Sequence, residues 1–547
     1  MTATAIARAT FLVTMVWAGA AATGFAQPAT TPPAPPPSTL RLTLDEAVKM
    51  AVERNVDLAA ARIDLPIADT SVAASVGAFR PTVGTSYQQN DQLQPPASFL
   101  VPTATRTNVA TFAVGLDQQL PWFGTSYSLS WNAAHTNSDS FINSFNPILQ
   151  TGLLMRVSQP LFRNLAIDDA RRQVATSRIN RAVADTRVRE ALVHTEADVK
   201  RAYWNLVAAR ANVDARQTAL TLAEELARVN KVKVDLGQSP PLDLVAAQAE
   251  VASDREQVII AETSVSQLED QLRTLIFDTS DRSVWAVSIE PLDSPPVAIP
   301  PPDLEAAVTE ALQNRTDLER ARKDIESAQV SVKFTNNQRL PDVRLNASYA
   351  ANGLGGTAIL RDGSFPGTII GSGPAIGFGS VLDQMFTSQY PSWAVGVSVS
   401  YPLGQATEKA NYARAVLEHR QLQEQLKGAE SRVIQQVRDA WRTIGMNAKR
   451  IETTRAAREL AAQRLEAERE RFDVGMSTSF LVIQAQRDLA QAKTSELAAV
   501  LAYDLALVDF EALQLAGPSS AAGAATSTTA PSVVITQPAS ATSGGVQ

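Results

Sequence analysis

Few side chains in this 547-residue chain have the types and spacing that catalysis or metal binding requires. The chain has no cysteine, which removes disulfides, thiolate nucleophiles, CxxC metal sites and a lipid-modified N-terminal cysteine. The three histidines, His135, His194 and His419, are far apart in sequence, and no Ser-His-Asp spacing or carboxylate cluster stands out. We therefore predict no catalytic, metal or cofactor-binding residues, and a protein that is not an enzyme.

The glycine-rich stretch "NGLGGTAILRDGSFPGTIIGSGPAIGFGS" at residues 352–380 contains fragments that resemble nucleotide-binding loops. No strand-to-helix context and no following Lys-Ser/Thr pair supports phosphate binding there. The stretch instead predicts a long mobile loop. The net charge is −7, so no basic excess indicates a nucleic-acid partner.

The most informative motif is a turn that occurs twice. "KVDLGQSPPLDLVAAQ" from Lys233 aligns without a gap with "RFDVGMSTSFLVIQAQ" from Arg471, at a constant offset of 238 residues. Glycine falls on glycine at 237 and 475, which is typical of the left-handed residue that follows the end of a helix. Ser239 or Pro240 in one copy, and residue 477 or 478 in the other, is suited to begin the next helix.

Long helices are predicted to lead into both turns. Residues 168–230 contain neither proline nor glycine, and residues 408–473 contain no proline. A helix of some 60 residues is about 90–100 Å long. In these long helices, apolar residues recur at helical spacing and form one face, which consists of Val199, Tyr203, Leu206, Val437, Trp441 and Ile444. After each turn, a returning helix is expected to end near residue 277 in the first copy and near residue 515 in the second.

A second pair of matching segments precedes these helices. "LDEAVKMAVERNVDL" from Leu44 matches "LEAAVTEALQNRTDL" from Leu304 at an offset of 260 residues. Each segment predicts one helix that ends near a proline, Pro81 or Pro341, because proline favours extended backbone before it. The chain therefore contains two copies of one plan.

Between these helices, apolar and polar residues alternate with the period of two that is typical of β-strands. The segments are "TSYSLSWN", "LLMRVSQPLF", "RLNASYA" and "WAVGVSVSYPLG". They give two strands in each half and four per chain, or six per chain if the additional "FAVGLDQQL-PWFG-TSYSLSW" hairpin also forms; both numbers stay open. Such alternation indicates different surroundings on the two faces, such as lipid outside and water inside.

The remaining segments set the boundaries. Residues 1–26 read as a signal peptide, with Arg8, an apolar stretch and a small-residue cleavage site after Ala26. A Pro-rich segment (27–41) follows, then the first repeat (42–277), a linker (278–301) with a short strand at 284–289, the second repeat (302–515) and a disordered tail (516–547).

These features together predict a mixed, mostly α-helical fold that forms a tube. After the signal peptide, no apolar run approaches the roughly 18 residues of a membrane-spanning helix. Four or six strands cannot close a barrel around water, and open sheet edges are not tolerated in lipid. Three chains would supply 12 or 18 strands, and the long helices would continue the barrel as a coiled-coil tunnel away from the membrane.

At this point the chain resembles the TolC-type family of outer-membrane efflux and secretion channels. The resemblance rests on the doubled "LxxAVxxA…DL" helix, on "SQPLF" at residues 158–162 and on the doubled glycine turn, and it covers residues 42–515. It implies a homotrimer in outer-membrane lipid with a helical tunnel in the periplasm. It also implies two partners, a periplasmic adaptor (membrane fusion) protein and an inner-membrane pump driven by protons or ATP.

The resemblance also assigns candidate site residues. The two turns would form the tip that docks to the adaptor, through Gly237, Gln238, Ser239, Gly475, Met476 and Ser477. Asp243 matches the gate aspartate of the first repeat in the family. The second repeat departs from the family pattern, because Phe472 replaces the gate tyrosine, Ser477 the gate arginine, and Leu481 and Gln484 two ring aspartates. An apolar constriction and outward packing of these residues both stay open, and Arg471 is a candidate partner of Asp243.

Two other classes of protein are kept as alternatives. A structural coiled-coil surface protein or adhesin without a conduit explains the long helices, but neither the strands nor the doubled turn. A secreted enzyme explains none of these features and lacks a catalytic constellation. Within the channel interpretation, the exported substrate and the class of pump are left open.

Overall fold

The structure is a computed structural model that describes residues 39–96, 104–140, 142–278, 282–294, 303–363 and 367–518. The predicted signal peptide, most of the Pro-rich segment and all but the first residues of the tail lie outside the described residues. Within the described part, the elements of the first half follow one another in this order: β1 (Thr39–Leu42), α1 (Leu44–Arg54), α2 (Val56–Gly77), β2 (Thr82–Gln94), β3 (Thr105–Gln119), β4 (Ser126–Ser138), β5 (Phe145–Pro160), α3 (Asp169–Asp235) and α4 (Pro241–Ile276).

The second half also begins with short elements and ends with two long helices. A 3₁₀ turn at Arg282–Ala286 precedes it, and its strand starts at residue 288, slightly later than the sequence predicts. The described elements are β6 (Ser288–Pro291), α5 (Leu304–Asn314), α6 (Thr316–Gln338), β7 (Asp342–Asp362), β8 (Thr368–Ile376), α7 (Phe378–Phe386), β9 (Tyr390–Ser400), α8 (Ala406–Asp473) and α9 (Ser479–Leu515). Most described residues are helical, so the mixed, mostly helical fold is confirmed.

The helix predicted from Leu44 is broken into two, and so is the one predicted from Leu304. Asn55 and Arg315 have extended backbone and separate α1 from α2 and α5 from α6. The Asn55 side chain accepts a hydrogen bond from the Leu58 amide at 2.9 Å and donates one to the Leu275 carbonyl at 3.0 Å. Because the second bond comes from α4, tertiary contact places this break, which helix periodicity alone does not reveal.

Seven strands form one antiparallel sheet in the order β2-β3-β4-β5-β7-β8, with β9 also paired to β7. β7 is long enough to pair with β9 through its first half and with β8 through its second half. The described sheet therefore has one strand more than the higher expected number of six, and β2 and β8 were not predicted. The glycine-rich stretch, predicted to be a loop, forms the end of β7, β8 and part of α7 in its described residues.

α7 lies flat on one face of this sheet. Val381 and Met385 are 0% and 2% exposed beneath it, and Met385 Sδ lies 3.7 Å from the Thr151 hydroxyl oxygen. A Cβ on Gly353 would lie 2.1 Å from the Val381 carbonyl oxygen. The glycine of β7 thus allows the helix backbone to approach the sheet directly.

The long helices carry the hydrophobic core. α3 has 67 residues and α8 has 68, so each is about 100 Å long. The apolar face predicted from helical spacing is buried, and in α3 it packs with α1, α4 and the two-stranded β1–β6 sheet. The residues of that face in α3 and α8 are at most 1% exposed, except Trp441. Trp441 is partly buried and packs at the edge of the core formed by α5, α8 and α9.

A buried hydrogen-bond network fixes the middle of the molecule. The Tyr203 hydroxyl has one proton to donate, and its oxygen lies 2.9 Å from Asp293 Oδ2 and 3.1 Å from the Leu42 carbonyl oxygen. Asp293 Oδ2 also accepts from the Leu44 amide at 2.6 Å. Burial raises the pKa of Tyr203 to about 12, so the phenol stays protonated and keeps donating.

Candidate functional site

One face of the sheet carries a continuous apolar surface. Directly paired residues form a row that crosses six strands, and the row consists of Val83, Leu116, Leu129, Met155, Tyr349 and Trp393. Val83 and Trp393, at its two ends, are 70% and 75% exposed. An exposed apolar row across six strands is typical of a lipid or protein interface rather than of contact with water.

The opposite face of the same strands is polar. A neighbouring row contains Asp117, Ser128, Arg156 and Ser348. Further along this face, the Ser158 hydroxyl donates to Asn346 Oδ1 at 2.9 Å, and Asn346 Nδ2 donates to the Ser398 hydroxyl at 2.9 Å. The alternation predicted from the sequence is therefore confirmed, and it gives the sheet one apolar side and one hydrophilic side.

The sheet ends in two open edges. Every residue of β2 and of β9 is exposed. In the described part of the chain, β2 pairs only with β3, and β9 pairs only with β7. Backbone groups along both outer edges therefore need partners that this single chain does not supply.

The other end of the molecule holds the two turns. Gly237 and Gly475 have φ of 70° and 77°, the left-handed conformation that the sequence predicted for both. In each turn, the amide after the glycine bonds to the carbonyl five residues earlier, at 2.7 Å in both copies. These are Schellman caps, so the two turns share one backbone design.

The helices that follow the turns begin as expected. Pro240 and Thr478 are the N-cap residues of α4 and α9, and neither makes a side-chain capping bond. The tip itself is apolar and exposed, with Leu236 at 66% and Met476 at 80%. Of the predicted tip residues, Ser239 and Ser477 are half-buried and the others are exposed.

Side chains join the two turns to each other. Asn230, near the end of α3, donates to the Ser479 hydroxyl at 2.6 Å, and both residues are at most 2% exposed. Lys233 Nζ lies 3.6 Å from the centre of the Phe472 ring and donates to the Phe472 carbonyl at 3.2 Å. These contacts hold the first-repeat and second-repeat turns side by side.

The structure places the predicted gate residues differently from one another. Phe472 is 7% exposed, whereas Leu481 is 41% exposed. Phe472 packs in a hydrophobic core between the two hairpins, and the other buried residues of this core are Leu226, Leu465, Val482, Ile483, Ala485 and Leu489. Asp243 is half-buried at the start of α4, and its carbonyl accepts from Asn230 at 3.4 Å. Their roles at a gate stay predictions.

Arg471 has a different partner within the chain from the one proposed. Its guanidinium bonds to Glu468 at 3.1 Å, and no bond to Asp243 is present among the described residues. Glu468 also accepts from the Ser477 hydroxyl at 2.7 Å. Glu468 was not predicted as a site residue, although its position three residues before Arg471 on a helix is a spacing that favours ion pairs.

A second acidic group near the tip was also missed. Glu250 is 6% exposed and pairs with Arg487 of α9, with 2.8 Å between Oε1 and Nε. Burial and the neighbouring Glu250 charge raise the pKa of Asp254 one turn further along α4. Glu250 and Arg487 are 237 residues apart in sequence, so no local sequence pattern predicts the ion pair.

Two further properties describe the chain as a whole. No helix in the described ranges is long and apolar enough to cross a membrane. No group of three or more histidine, aspartate or glutamate side chains is placed to hold a metal ion in those same ranges. His135, His194 and His419 lie on β4, α3 and α8.

Comparison with known proteins identifies the family. The profile of the family described as "Outer membrane efflux protein" matches residues 110–276 and 307–514, which together exceed half of the chain. No curated protein matches the chain.

Several solved channels share the fold. The Campylobacter jejuni CmeC outer membrane channel has 15% identity and a TM-score of 0.61, over 86% of this chain and 85% of that one. VceC of Vibrio cholerae has 17% identity and a TM-score of 0.59, over 86% and 96% of the two chains. The open state of MtrE of Neisseria gonorrhoeae has 18% identity and a TM-score of 0.57, over 86% and 88%. With the family match over most of both halves, this chain belongs to the outer membrane efflux protein family of TolC-type outer-membrane channels.

Proposed function

We propose that this protein is the outer-membrane channel of a tripartite efflux or type I secretion system. It would act as a passive conduit from the periplasm and an inner-membrane pump to the exterior. The observation that carries the proposal is the sheet, whose apolar face and polar face run through six strands next to two pairs of long helices. A wall between lipid and water needs this pattern, and a globular core does not.

The proposed assembly is a homotrimer. One chain leaves the outer edges of β2 and β9 open, and unpaired backbone groups are costly in lipid. Three copies arranged around an axis would close the strands into a barrel of 12 or 18 strands. The helices α3, α4, α8 and α9 would surround a tunnel on the periplasmic side.

We place the partners at the tip of this tunnel. Leu236 and Met476 are exposed apolar residues beside the two turns, and each trimer would present three copies of both. An adaptor hairpin with a matching apolar stripe would bury them. Asp243 and Leu481 would lie near the narrowest part of the tunnel, as equivalent residues of the two repeats.

The proposal assigns no catalysis and no cofactor to the chain. Energy for transport would come from the pump, driven by protons or by ATP, and the pump would select the substrate. The channel would contribute a wall, a constriction and a docking surface.

Electrical recording tests the proposal. The purified chain, extracted from outer membranes in detergent, is expected to run as a heat-modifiable trimer and to give discrete conductance steps in planar lipid bilayers. The same preparation after boiling serves as the matched control and is expected to give no steps. A water-soluble monomer that needs no detergent, or a trimer without conductance, would favour the non-conducting coiled-coil alternative and contradict the channel.

A further inference from the structure

We propose that a basic cavity, at the junction of the sheet and the helices, binds the phosphodiester headgroup of an anionic phospholipid in the periplasmic leaflet of the membrane. The cavity has a volume of about 670 Å³, and its lining includes Arg171, Lys333, Asn336, Arg339, Leu340 and Gln405. We call it the headgroup cavity. The proposal rests on the proposed function, because it needs the apolar face of the sheet to lie in lipid.

The headgroup cavity lies at the end of the sheet where the strands meet the long helices. Its residues come from the segments around three junctions, which join β5 to α3, α6 to β7 and β9 to α8. The loops at this end of the sheet also carry exposed aromatic side chains, which are Trp122, Phe123, Phe162 and Tyr401. Aromatic girdles of this kind lie at the boundary between hydrocarbon and headgroups around membrane barrels.

The position of a second cavity shows on which side of α6 the headgroup cavity lies. Phe334 and Gln338 of α6 border that second cavity, together with Ser126 and Arg344 from the polar face of the sheet. Because successive helix residues are about 100° apart, Lys333 is about 100° from Phe334 around α6 and about 140° from Gln338. The headgroup cavity thus lies away from the polar side, on the side that continues the apolar face.

The charge of the headgroup cavity suits an anion. Its described lining residues include three cationic side chains and no acidic one. Arg171 pairs with Asp168 at 3.0 Å, whereas Lys333 and Arg339 form no ion pair with a described residue. Two positive charges without counter-ions beside one cavity favour a ligand that carries negative charge.

The Arg339 side chain is held beside the cavity by its neighbours. Its guanidinium carbon lies 4.7 Å from the centre of the Tyr412 ring, and Gln405 Nε2 donates to the Arg339 carbonyl at 2.6 Å. Gln405 is 7% exposed and has a φ of 48°, a conformation that non-glycine residues rarely adopt. Arg339 Nε is shielded from water and has no hydrogen-bond partner in the described part of the chain. A phosphate oxygen beside this guanidinium would supply an acceptor that the chain does not.

The surroundings of the headgroup cavity suit the apolar part of a phospholipid. Leu340 is 42% exposed in the lining, and Leu403, in the loop before α8, is 95% exposed. The apolar face begins next to them, with Val399 of β9 at 68% exposure. Acyl chains that follow this face would bring their phosphate to the level of Lys333 and Arg339. A phosphodiester with acyl chains therefore fits the site better than free phosphate does.

The terminal segments of the chain do not offer the same charge. Residues 1–38 and 519–547 contain no aspartate or glutamate, so neither segment has an acidic side chain to place in the headgroup cavity. Basic pockets beside a membrane are suited to acidic lipid headgroups. Charge, position and apolar surroundings therefore favour an anionic lipid as the occupant.

Native mass spectrometry of the purified trimer tests the site. The trimer is stripped of lipid in a non-ionic detergent and titrated with phosphatidylglycerol, with phosphatidylcholine or with inorganic phosphate, and the bound molecules are counted. We expect one phosphatidylglycerol per subunit to bind roughly tenfold more tightly than either of the other ligands. Phosphatidylcholine carries the same phosphodiester but adds a cation, which Lys333 and Arg339 repel.

Three variants locate the binding. Lys333→Gln and Arg339→Gln each remove one charge, and each is expected to weaken phosphatidylglycerol binding by roughly tenfold. Ala166→Trp fills the cavity without changing its charge and is expected to abolish the tight binding. Lys333→Gln alters an exposed side chain, so it tests the site even if Arg339→Gln does not assemble.

Lys409→Gln is the matched control. Lys409 is exposed at the same end of the sheet, where it bonds to the Gly404 carbonyl at 3.4 Å, and it is not among the residues that line the cavity. This variant removes the same charge and is expected to bind phosphatidylglycerol normally. Equal weakening in Lys409→Gln and Lys333→Gln would show diffuse attraction of lipid to the surface, and would overturn the proposal.

Two other results also overturn it. Inorganic phosphate that binds as tightly as phosphatidylglycerol would identify a free anion as the ligand. Unchanged lipid binding in all three variants would show that lipid does not occupy the cavity. Planar-bilayer conductance separates these failures from failure of the proposed function: a conducting trimer leaves the channel intact, whereas an unmodified protein with neither trimer nor conductance contradicts both.

Discussion

The sheet and the helical hairpins of this chain treat apolar residues in opposite ways. The sheet leaves a row of six apolar side chains on its surface, from Val83 to Trp393. The hairpins bury theirs, as at Tyr203 and Phe472, which are 0% and 7% exposed. The sheet thus depends on surroundings that the single chain does not supply, whereas the hairpins bury their apolar residues in cores formed within the chain, one of which lies between the two hairpins.

The sharpest test of this contrast is a charge on either face of one strand. Leu129→Arg would place three guanidinium groups per trimer against lipid, at a cost of about 2–4 kcal/mol each near the bilayer centre. We expect outer-membrane insertion to be lost. Ser130→Arg, one residue further along β4 and on the polar face, is expected to insert normally. The measurement is the amount of heat-modifiable trimer in outer-membrane fractions.

Equal loss of insertion in both Leu129→Arg and Ser130→Arg would show that the two faces are not distinguished by lipid. Equal tolerance would show that the apolar row does not contact the bilayer core.

At the tip, the core should behave like that of a soluble protein. Phe472→Ala removes a buried ring and its contact with Lys233, and is expected to destabilise the chain by about 3–5 kcal/mol. Leu481→Ala, at a residue that is 41% exposed, is expected to change stability by less than about 1 kcal/mol. Thermal loss of the helical circular dichroism signal provides the comparison. Similar effects in both variants would mean that assembly buries Leu481 as well.

α7 is a helix that buries its apolar residues against the sheet, so it combines a buried core with the otherwise exposed strands. Gly353→Ala would bring a methyl group 2.1 Å from the Val381 carbonyl oxygen, so the helix must move away. We expect at least tenfold faster hydrogen exchange of the α7 amides in the purified trimer. Gly379→Ala is the control, since a Cβ there has open space. Unchanged exchange in Gly353→Ala would mean that α7 does not rest on this glycine.

How far the sequence predicts the fold depends on whether the signal is local. The glycine turns were predicted because a left-handed C′ residue is specified within a few positions. The break at Asn55 was not, because its capping side chain also bonds to α4, 220 residues away. The alternation of β4 and β5 was visible, whereas β2 is rich in Gln and carries fewer apolar residues on the apolar side of the sheet.

The candidate site shows the same limit. The sequence alignment of the repeats places Asp243 and Leu481 in equivalent positions, and this needs only the chain itself. It does not reveal that Phe472 lies under Lys233 of the other hairpin, or that Glu250 pairs with Arg487. Such contacts follow from packing of the two hairpins, which residue spacing within one helix does not encode.

One buried carboxyl group is expected to lower the stability of the helical core when it is ionised. Asp504 of α9 is 3% exposed, and its Oδ1 has no hydrogen-bond partner in the described part of the chain. Burial raises the pKa of Asp504 from its ordinary 3.8 to about 7. The protonated acid is favoured in the fold, so its contribution to stability is full below pH about 4 and is lost as the pH rises through 7.

Asp504→Asn is therefore expected to stabilise the protein at pH 8 by about 2 kcal/mol, and by much less at pH 5. Thermal unfolding at both pH values measures the difference. Asp509→Asn is the matched control, because Asp509 is half-exposed and paired with Arg201, so its effect should be below about 1 kcal/mol. A gain at pH 5 equal to that at pH 8 would show that Asp504 is not ionised near neutrality.

The smallest expected effect concerns ion selectivity at the tip. The turns of the two hairpins have the same backbone conformation there but carry different charged residues. Asp243 and Leu481 each lie six residues after an equivalent glycine, and a trimer would present three copies of each. Three carboxylates around a narrow ring attract cations and repel anions. Asp243→Asn should lower the cation-to-anion permeability ratio by roughly two- to threefold, and Leu481→Asp should raise it. Reversal potentials in a potassium chloride gradient measure both changes. If the ratio is unchanged in the two variants, these residues do not face the conducting path, and the tip forms a docking surface without the charged constriction proposed for it.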